Sequence, residues 1–175
     1  LFDDEEVKQY PELIKKAAEK NYGKAVFVYS LMLKNGDGFP VDKEKAAKLM
    51  KKAADNCVYR SYYEYYQMLK NGDGVKADQD EAMSYLMKGV NNFDPCSIYR
   101  YAVMLDSGIG GVEINKNDAL KKYKNAATWG HPEAMFDYGV KCLTGNLLPI
   151  DRQEAAKYFK SAALRGHKEA EFNNQ

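Results

Sequence analysis

The stretch Leu33-Lys34-Asn35-Gly36-Asp37-Gly38 returns unchanged as Leu69-Lys70-Asn71-Gly72-Asp73-Gly74, 36 residues further along. An identity of this length at a fixed offset marks an internal repeat, and a period between about 20 and 50 residues belongs to stacked supersecondary units. The register extends over most of the chain. Its first glycine recurs as Gly36, Gly72, Gly108 and Gly145, and a polar residue six or seven places on recurs as Asp42, Asp78, Asn115 and Asp151. An alanine follows as Ala46, Ala82, Ala119 and Ala155, and then a small pair as Ala53-Ala54, Gly89-Val90, Ala126-Ala127 and Ala162-Ala163.

Each unit reads as two helices. The first carries Ala25, Ser61, Ser97 or Ala134, then Tyr29, Tyr65, Tyr101 or Tyr138, then Leu33, Leu69, Leu105 or Cys142. These positions are four apart and share one helical face, which is the face to be buried. The glycine ends the first helix by taking the left-handed conformation of a C-cap. The Asp or Asn opens the second helix as an N-cap, with Glu81, Asp118 and Glu154 at the reciprocal third position and Lys45 departing from it. First helices are expected near 22–35, 58–71, 95–107 and 132–144, and second helices near 43–55, 79–91, 116–128 and 152–165. Pro11 is expected to start a shortened helix through Ala18, because proline is tolerated in a first turn. A pair of this kind cannot bury its apolar face alone, so neighbours must stack.

Several strings carry a resemblance: Gly72-Asp73-Gly74-Val75, Asp78 with Ala82, Lys52-Ala53-Ala54, and Trp129-Gly130-His131-Pro132-Glu133-Ala134. They resemble the Sel1-like repeat family, related to the tetratricopeptide repeat, whose shorter period and inter-helix turn fit less well. The resemblance implies an all-α, right-handed superhelical solenoid used for protein complexes. On this reading 1–175 is one array, with a partial unit at 1–20, repeats at about 21–57, 58–93, 94–130 and 131–166, and a further partial unit from His167. The chain opens at Leu1, and the array is expected to continue in a longer parent protein. Tyr66 departs from the family by standing where a small residue is wanted, with Gly89 replacing an alanine in the same unit. Residues 146–150 lose the second loop glycine.

Charge is balanced, 26 Lys and Arg against 25 Asp and Glu, which argues against a phosphate-tracking surface and against nucleic acid as partner. No apolar run approaches the roughly 20 residues of a membrane span, so no direct membrane insertion is expected. Cys57, Cys96 and Cys142 lack the paired spacing of a disulfide framework or zinc site, which favours a reducing compartment such as the cytoplasm. No cofactor or metal is called for. His131 and His167 share one repeat position, between a glycine and a helix start, and are read as structural. His131-Pro132-Glu133 has the outline of a deaminase zinc motif, but no Cys-x-x-Cys follows it. The Gly-Asp-Gly loops join two helices and lack the Lys-Ser/Thr of a phosphate cradle.

The expected function is a non-enzymatic scaffold holding a protein or peptide. The alternative is a targeting module or fragment of a larger enzyme, with hydrolase activity or a catalytic domain elsewhere. First helices of such arrays line the concave side, where residues outside the core register vary: Val28, Glu64, Arg100 and Asp137 in one row, Leu31, Gln67, Val103 and Val140 in the next, with Arg60 and Glu133 extending it. Tyr59 and Tyr62 fall off the core register and are candidate exposed anchors, while Tyr63 and Tyr65 match it. Trp129 is expected to pack on the next first helix or to touch a partner. Leu147, Leu148 and Ile150 are expected to tuck over helix ends or to form a docking patch.

Overall fold

The computed structural model describes residues 4–145 and 147–168. The described residues form nine α-helices and one 3₁₀ turn, with no strand among them. The helices are α1 (Asp4–Glu19), α2 (Gly23–Asn35), α3 (Lys43–Asp55), α4 (Ser61–Asn71), α5 (Gln79–Asn91), α6 (Pro95–Ser107), α7 (Lys116–Thr128), α8 (Pro132–Thr144) and α9 (Arg152–Ala163), and the 3₁₀ turn is Ile109–Gly111. By internal contacts the chain divides into two compact units, Leu1–Asn92 and Phe93–Gln175. In the first, α1 to α5 pack each on the next; in the second, α6 to α9 do the same.

The loop inside each pair is closed by the same bonds. Gly36, Gly72, Gly108 and Gly145 are left-handed C-caps with φ of 86°, 70°, 74° and 70°. Asp42, Asp78, Asn115 and Asp151 then accept from the backbone amides of Lys45, Glu81, Asp118 and Glu154 at 2.9, 2.9, 3.0 and 2.9 Å. Each capping residue also donates its own amide to the carbonyl of Leu33, Leu69, Leu105 or Cys142, at 2.9, 3.1, 2.8 and 3.0 Å. That amide is therefore already engaged, and the third-position acids turn elsewhere: Glu81 to Lys51 at 3.0 Å and Glu154 to Lys124 at 3.7 Å. For Glu81 and Glu154 the reciprocal half of the capping box is replaced by ion pairs to the preceding second helix, whereas Asp118 accepts from the Asn115 side chain and pairs with Lys121 on its own helix.

The core is built from small residues. Ala46, Ala53, Ala82, Ala119, Ala126, Ala155 and Ala162 are all essentially inaccessible, so adjacent helices approach closely. Tyr29, Tyr65 and Tyr138 are buried, whereas Tyr101 and Tyr63 are only half-buried. Both Tyr66 and its compensating Gly89 are buried. Gly74 marks the tightest contact in the first unit, since a Cβ there would lie 1.9 Å from the Lys43 carbonyl oxygen. Beside it, Lys43 and Asp73 pair at 2.8 Å.

Three expectations need correction here. Helix α1 begins at Asp4 and carries Pro11 inside it; the lost amide bond is set against packing on the first inter-helix loop, where a Cβ at Gly38 would meet the Pro11 ring at 2.6 Å. Helix α4 starts at Ser61, not near 58, because Cys57 and Arg60 take positive φ of 56° and 70°. In the fourth loop, Leu147 occupies the register of Gly38, Gly74 and Gly110 and keeps their left-handed backbone at φ 70°. Leu147 and Ile150 are exposed there and Leu148 is half-buried, so this stretch is not tucked away. Asn146, and the expected next first helix beyond Lys168, lie outside the described residues.

Candidate protein-binding face

The first helices α2, α4, α6 and α8 bring the two expected rows together within each unit. Val28, Leu31, Glu64 and Gln67 are half-buried on α2 and α4, as are Arg100, Val103 and Asp137 on α6 and α8; Arg60 and Val140 are exposed. Some of these side chains are tied to the neighbouring helix. Lys34 Nζ reaches Glu64 Oε2 at 3.1 Å, linking α2 to α4. Tyr99 Oη donates to Asp137 Oδ2 at 3.1 Å, linking α6 to α8. Gln67 Nε2 donates to Tyr63 Oη at 3.0 Å along α4. Burial pushes the Asp137 carboxyl above the ordinary carboxylate range, opposed by the Tyr99 bond and by the charges of Lys141 and His167. Asp106 goes the other way: burial opposes ionisation, but hydrogen bonds from Lys141 at 2.9 Å and Lys116 at 3.1 Å hold its carboxyl low.

The second helices carry a matching clamp in both units. Lys51 donates to Tyr85 Oη at 2.7 Å and to Glu81 at 3.0 Å, and lies 5.4 Å from the Tyr65 ring centroid. The Tyr85 hydroxyl in turn donates a hydrogen bond to Asp55 Oδ1 at 2.6 Å. The Tyr85 and Glu81 bonds hold the Lys51 ammonium well above its ordinary range, against burial. In the second unit Lys124, Tyr138 and Glu154 repeat the arrangement at the same register, with the ammonium 5.5 Å from the Tyr138 centroid. These groups are committed to holding repeats together.

The histidines are structural. His131 is the N-cap of α8, its Nδ1 accepting from the Ala134 amide at 3.3 Å, and its ring stacks on Tyr99 at 4.5 Å. Glu133 Oε2 also lies 3.1 Å from Nδ1, but one nitrogen cannot accept a cap bond and donate at once. The register favours the cap, because Asp94 holds the same position on α6 and accepts from the Ser97 amide at 3.0 Å. His167 stacks on Phe136 at 4.5 Å in the same manner. Among the described residues no group of three or more His, Cys, Asp or Glu side chains could hold a metal ion. Nor is any helix there long and apolar enough to cross a membrane.

Tyr62 is not an exposed anchor: it is 3% exposed. Its register mates Val26, Ile98 and Met135 are buried as well, and that apolar column is the signal that would have placed it. Tyr59 is exposed. Trp129 does not pack away on the next first helix; it is 56% exposed, with its ring against Phe93 at 5.9 Å. Phe93 itself escaped the sequence reading. It shares a register with Asn21, Cys57, Gly130 and Gly166, all of positive φ.

A glycine C-cap, a polar N-cap and buried alanine columns recurring pair after pair are the features that comparison with known proteins then matches. The family model described as Sel1 repeat matches residues 17–56, 63–89, 97–130 and 132–167. The chain belongs to the Sel1 repeat family. Members of this family are generally protein-interaction modules, non-catalytic in themselves. A Sel1 repeat protein from Oxalobacter formigenes superposes with a TM-score of 0.73 at 26% identity, over 86% of this chain and 61% of that one. A protective antigen of uropathogenic Escherichia coli with an SLR fold gives 0.73 at 23% identity, over 91% of this chain and 34% of that one. An immunity protein from Pseudomonas aeruginosa gives 0.66 at 22%, over 91% and 59%. The last two likenesses concern the fold alone, and the chain spans less than two thirds of the length of each structure. No curated protein matches the sequence.

Proposed function

We propose that this Sel1 repeat array is a non-enzymatic adaptor that holds a protein or extended peptide along the first-helix face of its units. The observation that carries this reading is a contrast between constant and changing positions. Caps, loop glycines and alanine columns repeat from pair to pair, while the first-helix rows change from Val28 to Glu64 to Arg100 to Asp137 and from Leu31 to Gln67 to Val103 to Val140. Side chains that differ at fixed positions of a repeated helix pair suit recognition rather than packing. Glu64, Gln67 and Asp137 are each bonded to another side chain of the first helices, so Leu31, Arg60 and Val103 supply most of the contact. Arg60 and Arg100 suit bidentate pairing with carboxylates.

Site-specific photo-crosslinking in cells tests this. A photoreactive residue at position 60, 67 or 103 should form adducts with one partner, and the same probe at exposed positions 48, 84 and 121 of the second helices should not. Equal labelling from both sets, or labelling from the second set alone, would remove the first-helix face from consideration.

A further inference from the structure

The turns that join one pair to the next expose large apolar side chains in both units: Tyr22 and Tyr59 in the first, Phe93, Trp129 and Leu164 in the second. In the second unit these turns make a continuous edge. Phe93 is 60% exposed and its ring leans on the 56% exposed Trp129, with centroids 5.9 Å apart and planes 32° apart. The residue after Trp129 is Gly130, and the Arg165 guanidinium covers it, with Nη1 3.3 Å from where a Cβ would stand. Two aromatic rings and a guanidinium thus follow one another across three turns. Those side-chain types carry most of the binding energy where proteins meet.

Two further observations say that the edge is not merely a wet turn. Phe93 sits at φ 58°, in a register of positive φ that Asn21 and Cys57 fill in the earlier turns and Gly130 and Gly166 in the later ones. A bulky ring is the occupant such a backbone favours least. The edge also carries a cation beside the rings. In segments 93–94, 128–131 and 164–166 the exposed ionised side chain is Arg165, since Asp94 is buried in its capping role, while Lys168 lines a hollow with Glu133 and Asp137.

We propose that this edge is a second contact surface, separate from the first-helix face, and that its occupant is a partner segment in which a bulky apolar side chain is followed within one or two residues by a carboxylate. The apolar side chain covers the Phe93–Trp129 pair, and the carboxylate meets the Arg165 guanidinium in a bidentate pair. The spacing follows from the edge itself, because Arg165 lies over the residue adjacent to Trp129.

The test is selection of a random short-peptide display library on the immobilised full chain, followed by titration of the synthetic winners. The expected winners carry an apolar residue followed by Asp or Glu and shift the emission of Trp129, the single tryptophan. They should bind Trp129→Ala and Arg165→Glu at least roughly tenfold more weakly. Phe93→Gly should lose binding as well while its circular dichroism melt does not fall, which separates contact from folding. Winners in which Asp or Glu is exchanged for Lys should recover on Arg165→Glu. Absence of any enriched motif, or winners that bind Trp129→Ala and Arg165→Glu like the parent, would overturn the proposal. Winners lost only on Arg60→Glu would do the same and would leave the first-helix face standing.

Discussion

Leu147 holds a left-handed backbone at the register position of three glycines, and a non-glycine residue there costs about 1–2 kcal/mol. Leu147→Gly should therefore stabilise the chain by up to about 1 kcal/mol, after the extra freedom that glycine gives the unfolded chain is subtracted. A urea midpoint that falls instead would mean that the exposed Leu147 side chain holds its loop. Asp137 supplies a pH-dependent case. Burial raises its folded pKa above the unfolded value, so the folded state holds this proton more tightly. That contribution favours folding below the ordinary carboxylate range and is lost as pH rises through the folded value. Asp137→Asn keeps an acceptor for the Tyr99 hydroxyl but removes the desolvated charge. Its Tm should exceed the parent's near neutral pH and match it in acid; a lower Tm at neutral pH would show that Lys141 and His167 outweigh burial.

Helix by helix, the boundaries of α2, α3 and α5 to α9 were readable because caps are local chemistry: a side-chain oxygen meets an amide three residues on, and glycine relieves a positive φ. Side-chain exposure was less readable. Tyr62 looked free because it lies outside the i, i+4, i+8 column of Ser61, Tyr65 and Leu69, yet a first helix in a stack is covered on more than one side. Trp129 went the other way and Phe93 drew no notice, since nothing in a helical period says that a turn will leave its rings in solvent. The half-buried state of Glu64 and Asp137 depends on Lys34 and Tyr99, one repeat away, and pair geometry of that kind is not a sequence signal. The alanine columns were readable, and they carry a prediction. Ala126 is fully buried, so Ala126→Leu should overpack the α7 interface and cost about 1–3 kcal/mol. An unchanged melt would place that side chain outside the core.

At the scale of the whole chain, the closest backbone packing among the described residues joins helices adjacent in sequence. Loop closure is then inexpensive in entropy, and folding should be fast for 175 residues. The split at Asn92 and Phe93 bears on how the chain unfolds. Trp129 reports only on the second unit, whereas circular dichroism sees the helices of both. A lesion in the first unit, Gly74→Ala, should lower the dichroism midpoint in urea more than the fluorescence midpoint. Coincident shifts would show one cooperative block. Gly74 also bears on what selection can alter. Where Lys43 and Gly74 meet, backbone touches backbone with no side chain between them, so this contact accepts nothing larger than glycine at position 74. Helix-face residues are free of that constraint, and new binding preferences can arise there while the frame that spaces them stays as it is.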